Sequence, residues 1–309
     1  MKRTVSALLF LCSAFVATAE ITYQKPPQAI LDVMHAPASP LPSVSPAKTH
    51  ILLIQRQLYP SIAVLAAPVH RIAGLRINPA NNGPHAPLGT ATSLVLKTID
   101  GGAEVKIVTP PGASLDTPVW SPDGKYFAVT NSTASAIELY IGSIASPTLR
   151  KIPGVVLNDT IGQPVVWFSS SKELLVRMVV AARGPAPKPP AAPAGPNVQE
   201  SSGTAGPVRT YQDMLKSPYD EKLFDYYCTS QLAGVDVATG RVTPIGKPGI
   251  FSSVSPSPDA KHLLVARIHK PYSYLHAYPS FPHENRSLGS NWPYGLPGLQ
   301  PSPGRCGAH

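Results

Sequence analysis

One short turn motif, repeated along the chain, limits what this sequence can fold into. Ser121-Pro122-Asp123-Gly124 follows Val119-Trp120 and precedes the apolar run Tyr126 to Val129. Proline presets φ for the second turn position, aspartate bonds the backbone two residues on, and glycine tolerates positive φ. One strand should therefore end at Trp120 and the next should leave at Lys125. Because the outgoing strand is apolar at successive positions, both of its faces are predicted to be covered, with Trp120 and Phe127 buried.

Three further segments carry a related turn before a similar apolar run. They are Ser45-Pro46-Ala47-Lys48 before Ile51, Ser169-Ser170-Ser171 before Leu174, and Ser257-Pro258-Asp259-Ala260 before Leu263. Successive copies are offset by 76, 47 and 89 residues, and about 40 to 50 residues is the period of propeller blades. The predicted fold is therefore all-β, with β-propeller blades in an incomplete propeller over residues 20–275. An ordinary β-sandwich is the alternative, although it does not require the same turn before the same apolar run.

The start of the chain has the anatomy of a secretory signal peptide. Met1-Lys2-Arg3 precedes the apolar run Val5 to Val16, and Ala17-Thr18-Ala19 follows it. We expect residues 1–19 to be removed near Ala19, and the product to be secreted or periplasmic. The apolar run is shorter than the ~20 residues that cross a bilayer, so no membrane span is predicted. Cys12 leaves a lipoprotein as an alternative, but Phe10-Leu11 stand where small residues are expected.

Charge and ligand-type residues exclude several classes of partner. The net charge of +9 is spread along the chain without a run of five basic residues, whereas nucleic-acid binding favours a concentrated basic stripe. We therefore predict no nucleic-acid partner. Cys228 and Cys306 have no spacing typical of zinc ligands, and no H-E-x-x-H occurs. The sequence predicts no metal site and no cofactor.

Two segments break the strand pattern. Of the 25 residues from Arg183 to Pro207, 16 are Pro, Gly or Ala, so this loop is predicted to be solvated, mobile, partly polyproline and the first site of protease cleavage. Ser217-Pro218 then begins a short helix. Beyond Leu275 no apolar pattern remains, so residues 276–309 are predicted to be an irregular, disordered tail without packed structure. Tyr272, Tyr274 and Tyr278 either pack or line a recognition groove.

The tail also suggests a change of reading frame. Read in another frame from Asn285 onward, permitted codons give a strand, a polar Gly turn and a second strand. The Gly is forced by Trp292-Pro293, since T-G-G followed by C contains G-G-C. We expect the parent gene to continue in that frame.

A catalytic motif is missing from the sequence. A serine hydrolase of the α/β type has its nucleophile in a G-x-S-x-G turn, and no such pentapeptide occurs. No residue is therefore assigned a catalytic, cofactor-binding or metal-binding role.

Several segments carry a resemblance to a known family. They are Tyr23-Gln24-Lys25-Pro26-Pro27, Ala73-Gly74-Leu75-Arg76-Ile77-Asn78-Pro79 with Asn82-Gly83-Pro84, Gly195-Pro196-Asn197-Val198-Gln199-Glu200, Arg209-Thr210-Tyr211-Gln212-Asp213, and Leu223-Phe224-Asp225-Tyr226-Tyr227. Through them the chain resembles the propeller part of a secreted bacterial prolyl oligopeptidase, in the glutamyl-endopeptidase-like branch. The resemblance implies an N-terminal propeller that gates peptide substrates to a C-terminal α/β-hydrolase domain, here missing. The chain alone would then be inactive. A self-standing periplasmic propeller that binds a partner protein is the alternative.

Overall fold

The computed structural model describes residues 24–57, 59–191 and 211–289. The chain divides into two compact units, Met1–Pro37 and Ala38–His309. In the first unit the described part contains helix α1, Gln28–His35. The predicted signal peptide, residues 1–19, lies outside the described residues. No helix in the described ranges is long and apolar enough to cross a membrane.

The second unit is built mainly from antiparallel strands. In chain order its elements are β1 (Leu41–Val44), β2 (His50–Gln57), α2 (Ile62–Leu65), β3 (His70–Ile72), β4 (Leu75–Asn78), β5 (Gly83–Pro84), β6 (Thr90–Thr98), β7 (Val105–Lys106), β8 (Val119–Trp120), β9 (Tyr126–Ser132), β10 (Ile137–Ser143), β11 (Ser146–Val156), β12 (Val165–Trp167), β13 (Glu173–Val179), α3 (Pro218–Cys228), β14 (Ser230–Asp236), β15 (Val242–Pro256), β16 (His262–Ile268), a 3₁₀ turn (Tyr278–Ser280) and β17 (His283–Gly289).

These strands form successive meanders of the propeller-blade type. One four-stranded sheet contains β1, β2, β6 and β7, and a second contains β8 to β11. A six-stranded sheet runs in order from β12 to β17. In β15, residues 242–249 pair with β14 and residues 250–256 pair with β16. The six strands are therefore a third four-stranded meander followed by a three-stranded one. The prediction of an all-β, incomplete propeller is confirmed.

The core lies between consecutive sheets. Leu52 and Leu94 of the first sheet share a buried cluster with Phe127 of the second. Leu139 of the second sheet shares another with Leu174 of the third. The second and third sheets thus have a buried cluster on each face, which explains why β9 and β13 are apolar at successive positions rather than alternately.

The repeated turn is the same structure in all four copies. In each one the N–H of the fourth residue donates to the carbonyl of the first over 2.8–3.0 Å, and the fourth residue has positive φ. These donor and acceptor pairs are Lys48 and Ser45, Gly124 and Ser121, Ser171 and Phe168, and Ala260 and Ser257. The predicted turn at Pro122-Asp123-Gly124 is confirmed, and so is the repeat on which the fold prediction depended.

Phe127 and Trp120 differ in burial. Phe127 has no exposed surface, as predicted, but Trp120 is only half-buried, so that part of the prediction is wrong. The Trp120 indole N–H donates to Ser43 Oγ of the preceding sheet over 3.1 Å. Likewise the Trp167 indole donates to the Val119 carbonyl over 2.8 Å. Both tryptophans link neighbouring sheets, but Trp167 is buried, whereas Trp120 lies on β8, the edge strand of its sheet.

Two insertions interrupt the meanders between the second and third strands of a sheet. The first, between β2 and β6, carries α2 and a small sheet of β3, β4 and β5. The second, between β13 and β14, carries α3, which begins at Ser217 as predicted, with Ser217 Oγ accepting from the Asp220 N–H. Apolar side chains from both insertions and from residues 250–281 form one buried cluster, which we call the cap. It contains Ile72, Ile77, Leu223, Phe224, Tyr227, Cys228, Ile268 and Phe281, among others.

The segment after Leu275 is more ordered than the sequence suggested. Strand β17 pairs antiparallel with β16 along all seven of its residues, from His283 to Gly289, and Phe281 is buried in the cap. The predicted irregular tail is therefore wrong for residues 276–289. This strand is held by backbone pairing with β16 and has no apolar pattern of its own. A search for apolar patterns in the sequence could therefore not reveal the strand. Residues 290–309 lie outside the described residues, and the change of reading frame stays a prediction.

Candidate functional site

Residues that carried the family resemblance meet in the cap. The Arg76 guanidinium donates to the Asp213 carboxylate over 2.7 Å, although the two residues are 137 positions apart. The Gly74 N–H donates to the Asp213 carbonyl over 2.8 Å. Gly74 has φ of +80°, and a Cβ there would lie 2.6 Å from Ala277 Cβ. The segment at 73–79 and Asp213 thus join the two insertions.

Two asparagines close the C-terminal end of α3. The last carbonyls of a helix have no partner inside the helix. Here the Tyr227 carbonyl accepts from Asn82 Nδ2 at 3.0 Å and from Asn158 Nδ2 at 2.9 Å. Asn158 also donates to the Thr229 carbonyl at 3.0 Å. Asn82 has φ of 60°, which asparagine tolerates better than most residues. This end of α3 is therefore fixed both to the first insertion and to the segment that joins β11 to β12.

The first residues of the Pro-rich loop contact α3. The Arg183 guanidinium lies 4.3 Å from the centre of the Tyr226 ring and donates to Asn82 Oδ1 at 2.5 Å. The Gly184 and Pro187 carbonyls accept hydrogen bonds from tyrosine hydroxyls of α3. Gly184, Pro185 and Ala186 are nevertheless exposed, as predicted for a solvated loop. The mobility of the loop stays a prediction. Residues 192–207 of that loop lie outside the described residues.

A network of charged and phenolic groups ties the exposed side of α3 to the segment after β16. Lys270 Nζ lies 3.1 Å from Glu221 Oε2 and 3.2 Å from Asp225 Oδ2. The hydrogen bonds to Glu221 and Asp225 raise the pKa of Lys270. Tyr272 donates to Asp225 at 2.5 Å and Tyr274 donates to Glu221 at 2.9 Å.

Tyr272 and its neighbours serve packing. Its ring stacks on Phe281 with centroids 5.1 Å apart and meets Phe224 edge-on. Burial, followed by the hydrogen bond to Asp225, raises the pKa of Tyr272. Tyr278 also packs against the cap. Of the two alternatives left open by the sequence, these contacts favour packing over a recognition groove.

A cleft of about 310 Å³ lies between the second and third sheets. Its lining comes from the segments before β8 and β12 and from β9, and comprises Asp116, Thr117, Val119, Ala128, Thr130, Gln163, Pro164 and Val165. Asp116 and Thr117 are exposed, so a carboxylate and a hydroxyl stand at its mouth. The carboxylate can accept hydrogen bonds from a peptide backbone, and the hydroxyl and the Gln163 amide can both donate to it and accept from it. Within the part of the chain that the structure describes, we take this cleft as the candidate binding site.

Buried Arg177 and half-buried Asp159 interact electrostatically, and Asp159 also feels the charge of Asp116 in the cleft. Arg177, which is buried, donates to the carbonyls of Ile161 and Phe251, the latter at 3.0 Å. Burial lowers the pKa of Arg177 to about 10. Burial and then the charge of Asp116 raise the pKa of Asp159 to about 7, against the opposing effect of Arg177. The protonation of Asp159 therefore changes near neutral pH, and with it the charge next to the cleft.

The thiol and imidazole groups show no metal-ligand arrangement. Within the described ranges no three His, Cys, Asp or Glu side chains are grouped to hold a metal ion. Cys228 is fully enclosed in the cap, and burial raises the pKa of its thiol. His70 lies against Tyr227, and burial lowers its pKa. Cys306 lies outside the described residues.

The sequence pointed to some of these residues and missed others. Asn82 and Asp213 belong to segments already singled out by the resemblance. Asp159 and Arg177 gave no sequence signal, because a charged residue in or next to a strand reads as solvent-exposed. They come near each other because the segment after β11 runs against β13, and no local pattern encodes that contact.

Comparison with known proteins gives a clear sequence relationship. The chain is 36% identical over 284 residues to a protein named "Probable glutamyl endopeptidase, chloroplastic" from Oryza sativa subsp. japonica, covering 86% of this chain and 30% of the relative. It is 34% identical over 276 residues to the protein of the same name from Arabidopsis thaliana, covering 84% and 28%. The chain thus spans less than a third of the length of these curated relatives. No protein-family profile matches the chain.

Among solved structures, the β-propeller domain of the Trilobed protease from Pyrococcus furiosus is similar. The sequence identity is 11% and the TM-score is 0.40, over 81% of this chain and 54% of that one.

Proposed function

We propose that this chain, a homologue of the proteins named glutamyl endopeptidase, is the substrate-gating propeller part of a serine peptidase of the prolyl oligopeptidase family. The observation that carries the proposal is the 36% identity over 284 residues, which covers 86% of this chain. Fold and sequence agree, because the blade-type sheets are what the propeller part of such an enzyme requires.

In this proposal the chain selects substrates and a separate catalytic region cleaves them. A G-x-S-x-G turn is absent from the sequence, so the nucleophile would belong to that region. Peptides would pass the sheets, where the cleft between the second and third sheets offers the Asp116 carboxylate, the Thr117 hydroxyl and the Gln163 amide. Compact or long substrates would be excluded because they do not fit past packed sheets.

A chimaera tests the gating role. The 284-residue matched region of the rice relative would be replaced by this chain, and hydrolysis of a short peptide would be compared with that of an unfolded protein carrying the same cleavage sequence. A matched variant would carry a Gly/Ser linker in place of the same region. We expect the chimaera to cleave the peptide and spare the protein. Cleavage of both at similar rates would contradict gating, and would favour a self-standing binding module.

We also propose that residues 1–19 direct export. The support is the basic start, the apolar run and the small residues before Glu20. Expression in a bacterium followed by N-terminal sequencing should give a product that begins at Glu20 in the periplasm. An intact Met1 on a cytoplasmic product would contradict this.

A further inference from the structure

Strand β17 has one edge that no other strand covers within the described ranges. In each of the first three meanders a fourth strand pairs with the third, namely β7 with β6, β11 with β10, and residues 242–249 of β15 with β14. Strand β17 is the third strand of the fourth meander, and it pairs with β16 on one side only. The outer edge of a sheet presents N–H and C=O groups that can pair with a further strand. The outer edge of β17 is therefore a candidate interaction surface.

The pairing with β16 shows which backbone groups lie on this outer edge. The His269 N–H donates to the Pro282 carbonyl over 3.0 Å, one position before β17 begins. In an antiparallel pair, alternate residues direct both their N–H and their C=O groups to the same neighbouring strand. Every second residue from Pro282 onward therefore faces β16. The outward-facing groups belong to the alternate positions, which are the exposed residues His283, Asn285, Ser287 and Gly289.

The charged side chains of β17 are complementary to a second copy of the same strand. Glu284 and Arg286 are two residues apart and so lie on the same face of the sheet. Arg286 donates to Glu284 Oε2 over 2.8 Å, and both side chains are partly exposed. A row of like charges would keep two such edges apart. This strand instead carries one charge of each sign, placed symmetrically about Asn285.

One antiparallel register of two β17 strands places opposite charges together. When Asn285 lies opposite Asn285 of a second copy, Glu284 of each strand lies opposite Arg286 of the other. The outward-facing backbone groups then exchange hydrogen bonds, and the charged residues occupy the intervening positions, where opposite side chains are closest. The smallest shift that keeps the outward-facing groups opposite each other is two residues. It sets Arg286 opposite Arg286, or Glu284 opposite Glu284, and like charges directly opposite each other are destabilising.

We propose that β17 is a dimerisation strand, and that two copies of this chain pair antiparallel through its outer edge about a two-fold axis at Asn285. The second copy then takes the position that a fourth strand has in each of the other meanders. Because both copies use the same edge, the contact is isologous and closes at two chains. Two Glu284–Arg286 pairs between the strands, beside the pair within each strand, fix the register.

Sedimentation velocity of the full chain tests this pairing. We expect a dimer whose fraction rises with protein concentration. Glu284→Arg places arginines opposite each other, and Arg286→Glu places acids opposite each other, so each variant should raise the dissociation constant by about tenfold. Glu104→Arg is the matched control, because Glu104 belongs to an ion pair of the first sheet with Lys97. It should leave the dissociation constant unchanged.

Charge exchange distinguishes the proposed register from a general loss of structure. In a mixture of Glu284→Arg and Arg286→Glu, opposite charges again lie across the strands, so a heterodimer should form. The double variant Glu284→Arg/Arg286→Glu should dimerise by itself. Asn285→Pro removes an outward-facing N–H and no bond to β16, so it should be monomeric with unchanged circular dichroism. An unmodified chain that is monomeric at every soluble concentration, single variants that dimerise as well as it does, or a mixture that stays monomeric would each overturn the proposal.

Discussion

Gly142 lies against the ring of Phe127, and replacing it by alanine tests the packing of the second sheet. The two residues are directly opposite each other in the pair of strands β9 and β10. A Cβ on Gly142 would lie 2.1 Å from Phe127 Cζ, 2.3 Å from Cε2 and 2.7 Å from Cε1. These distances are far below van der Waals contact. Phe127 is completely buried, so its ring can move only against the other side chains of its buried cluster.

The expected loss of stability follows from this overlap. Overpacking a well-packed core typically costs 1–3 kcal/mol, and we expect Gly142→Ala to reach about 3 kcal/mol because three ring atoms are involved. Phe127→Leu alone should cost about 1–2 kcal/mol through lost volume. In the double variant the smaller side chain makes room for the new methyl group. The loss should then be at least about 1 kcal/mol less than the sum of the two single losses.

Urea denaturation followed by tryptophan fluorescence and far-UV circular dichroism measures these free energies of unfolding. Gly289→Ala is the matched control, because Gly289 also lies in a strand and a Cβ there would be 3.7 Å from its nearest neighbour, His262. It should change stability by less than about 0.5 kcal/mol. If Gly142→Ala behaved like Gly289→Ala, or if the two changes in the second sheet were additive, the packing of Phe127 on Gly142 would be wrong.

Three further predictions concern the cleft and the cap. The pKa of Asp159 is raised from 3.8 to about 7, so the folded chain binds this proton more tightly than the unfolded chain does. The free energy of unfolding should therefore fall as pH rises from about 4 to 7, by up to about 4 kcal/mol. Asp159→Asn should remove this fall in melting curves at pH 5 and pH 8, and an unchanged pH dependence would contradict it. In urea denaturation, Asn82→Ala should be about 1–2 kcal/mol less stable than Asn82→Gly. Both variants lose the hydrogen bond to Tyr227, but only alanine has a strained backbone at positive φ. Equal stability of the two variants would rule out that strain. Ser217→Ala should lower the free energy of unfolding by about 1 kcal/mol through loss of the α3 N-cap, and Ser217→Asp should retain it; a silent Ser217→Ala would show that the cap is not formed.

The sequence predicted the sheets well because their signals are local. A turn such as Ser121 to Gly124 needs particular residues at adjacent positions, and its repetition identified the blades without any knowledge of contacts. The cap depended on contacts between segments more than a hundred residues apart, such as Arg76 with Asp213. Only the family resemblance pointed to those residues, and it did not show that they touch.

The errors have a common physical cause. The polar strand β17 is held by its neighbour and not by its own side-chain pattern, through backbone bonds to β16. The loop at residues 183–187 is likewise tied to α3 by tyrosine hydroxyls. Trp120 was expected in the core because it is a large apolar residue, but it lies where two sheets meet. Whether a segment has such a neighbour cannot be read from that segment alone.

The division of labour between this chain and a catalytic region is tested most directly by a fluorophosphonate serine probe. The purified chain and the chimaera with the rice relative would be labelled side by side, and labelled peptides would be mapped by mass spectrometry. We expect one labelled serine in the chimaera, outside the residues contributed by this chain, and no labelling of the chain by itself. Stoichiometric labelling of a single serine within this chain, with hydrolysis of a peptide, would show that it is a catalyst and not a gate.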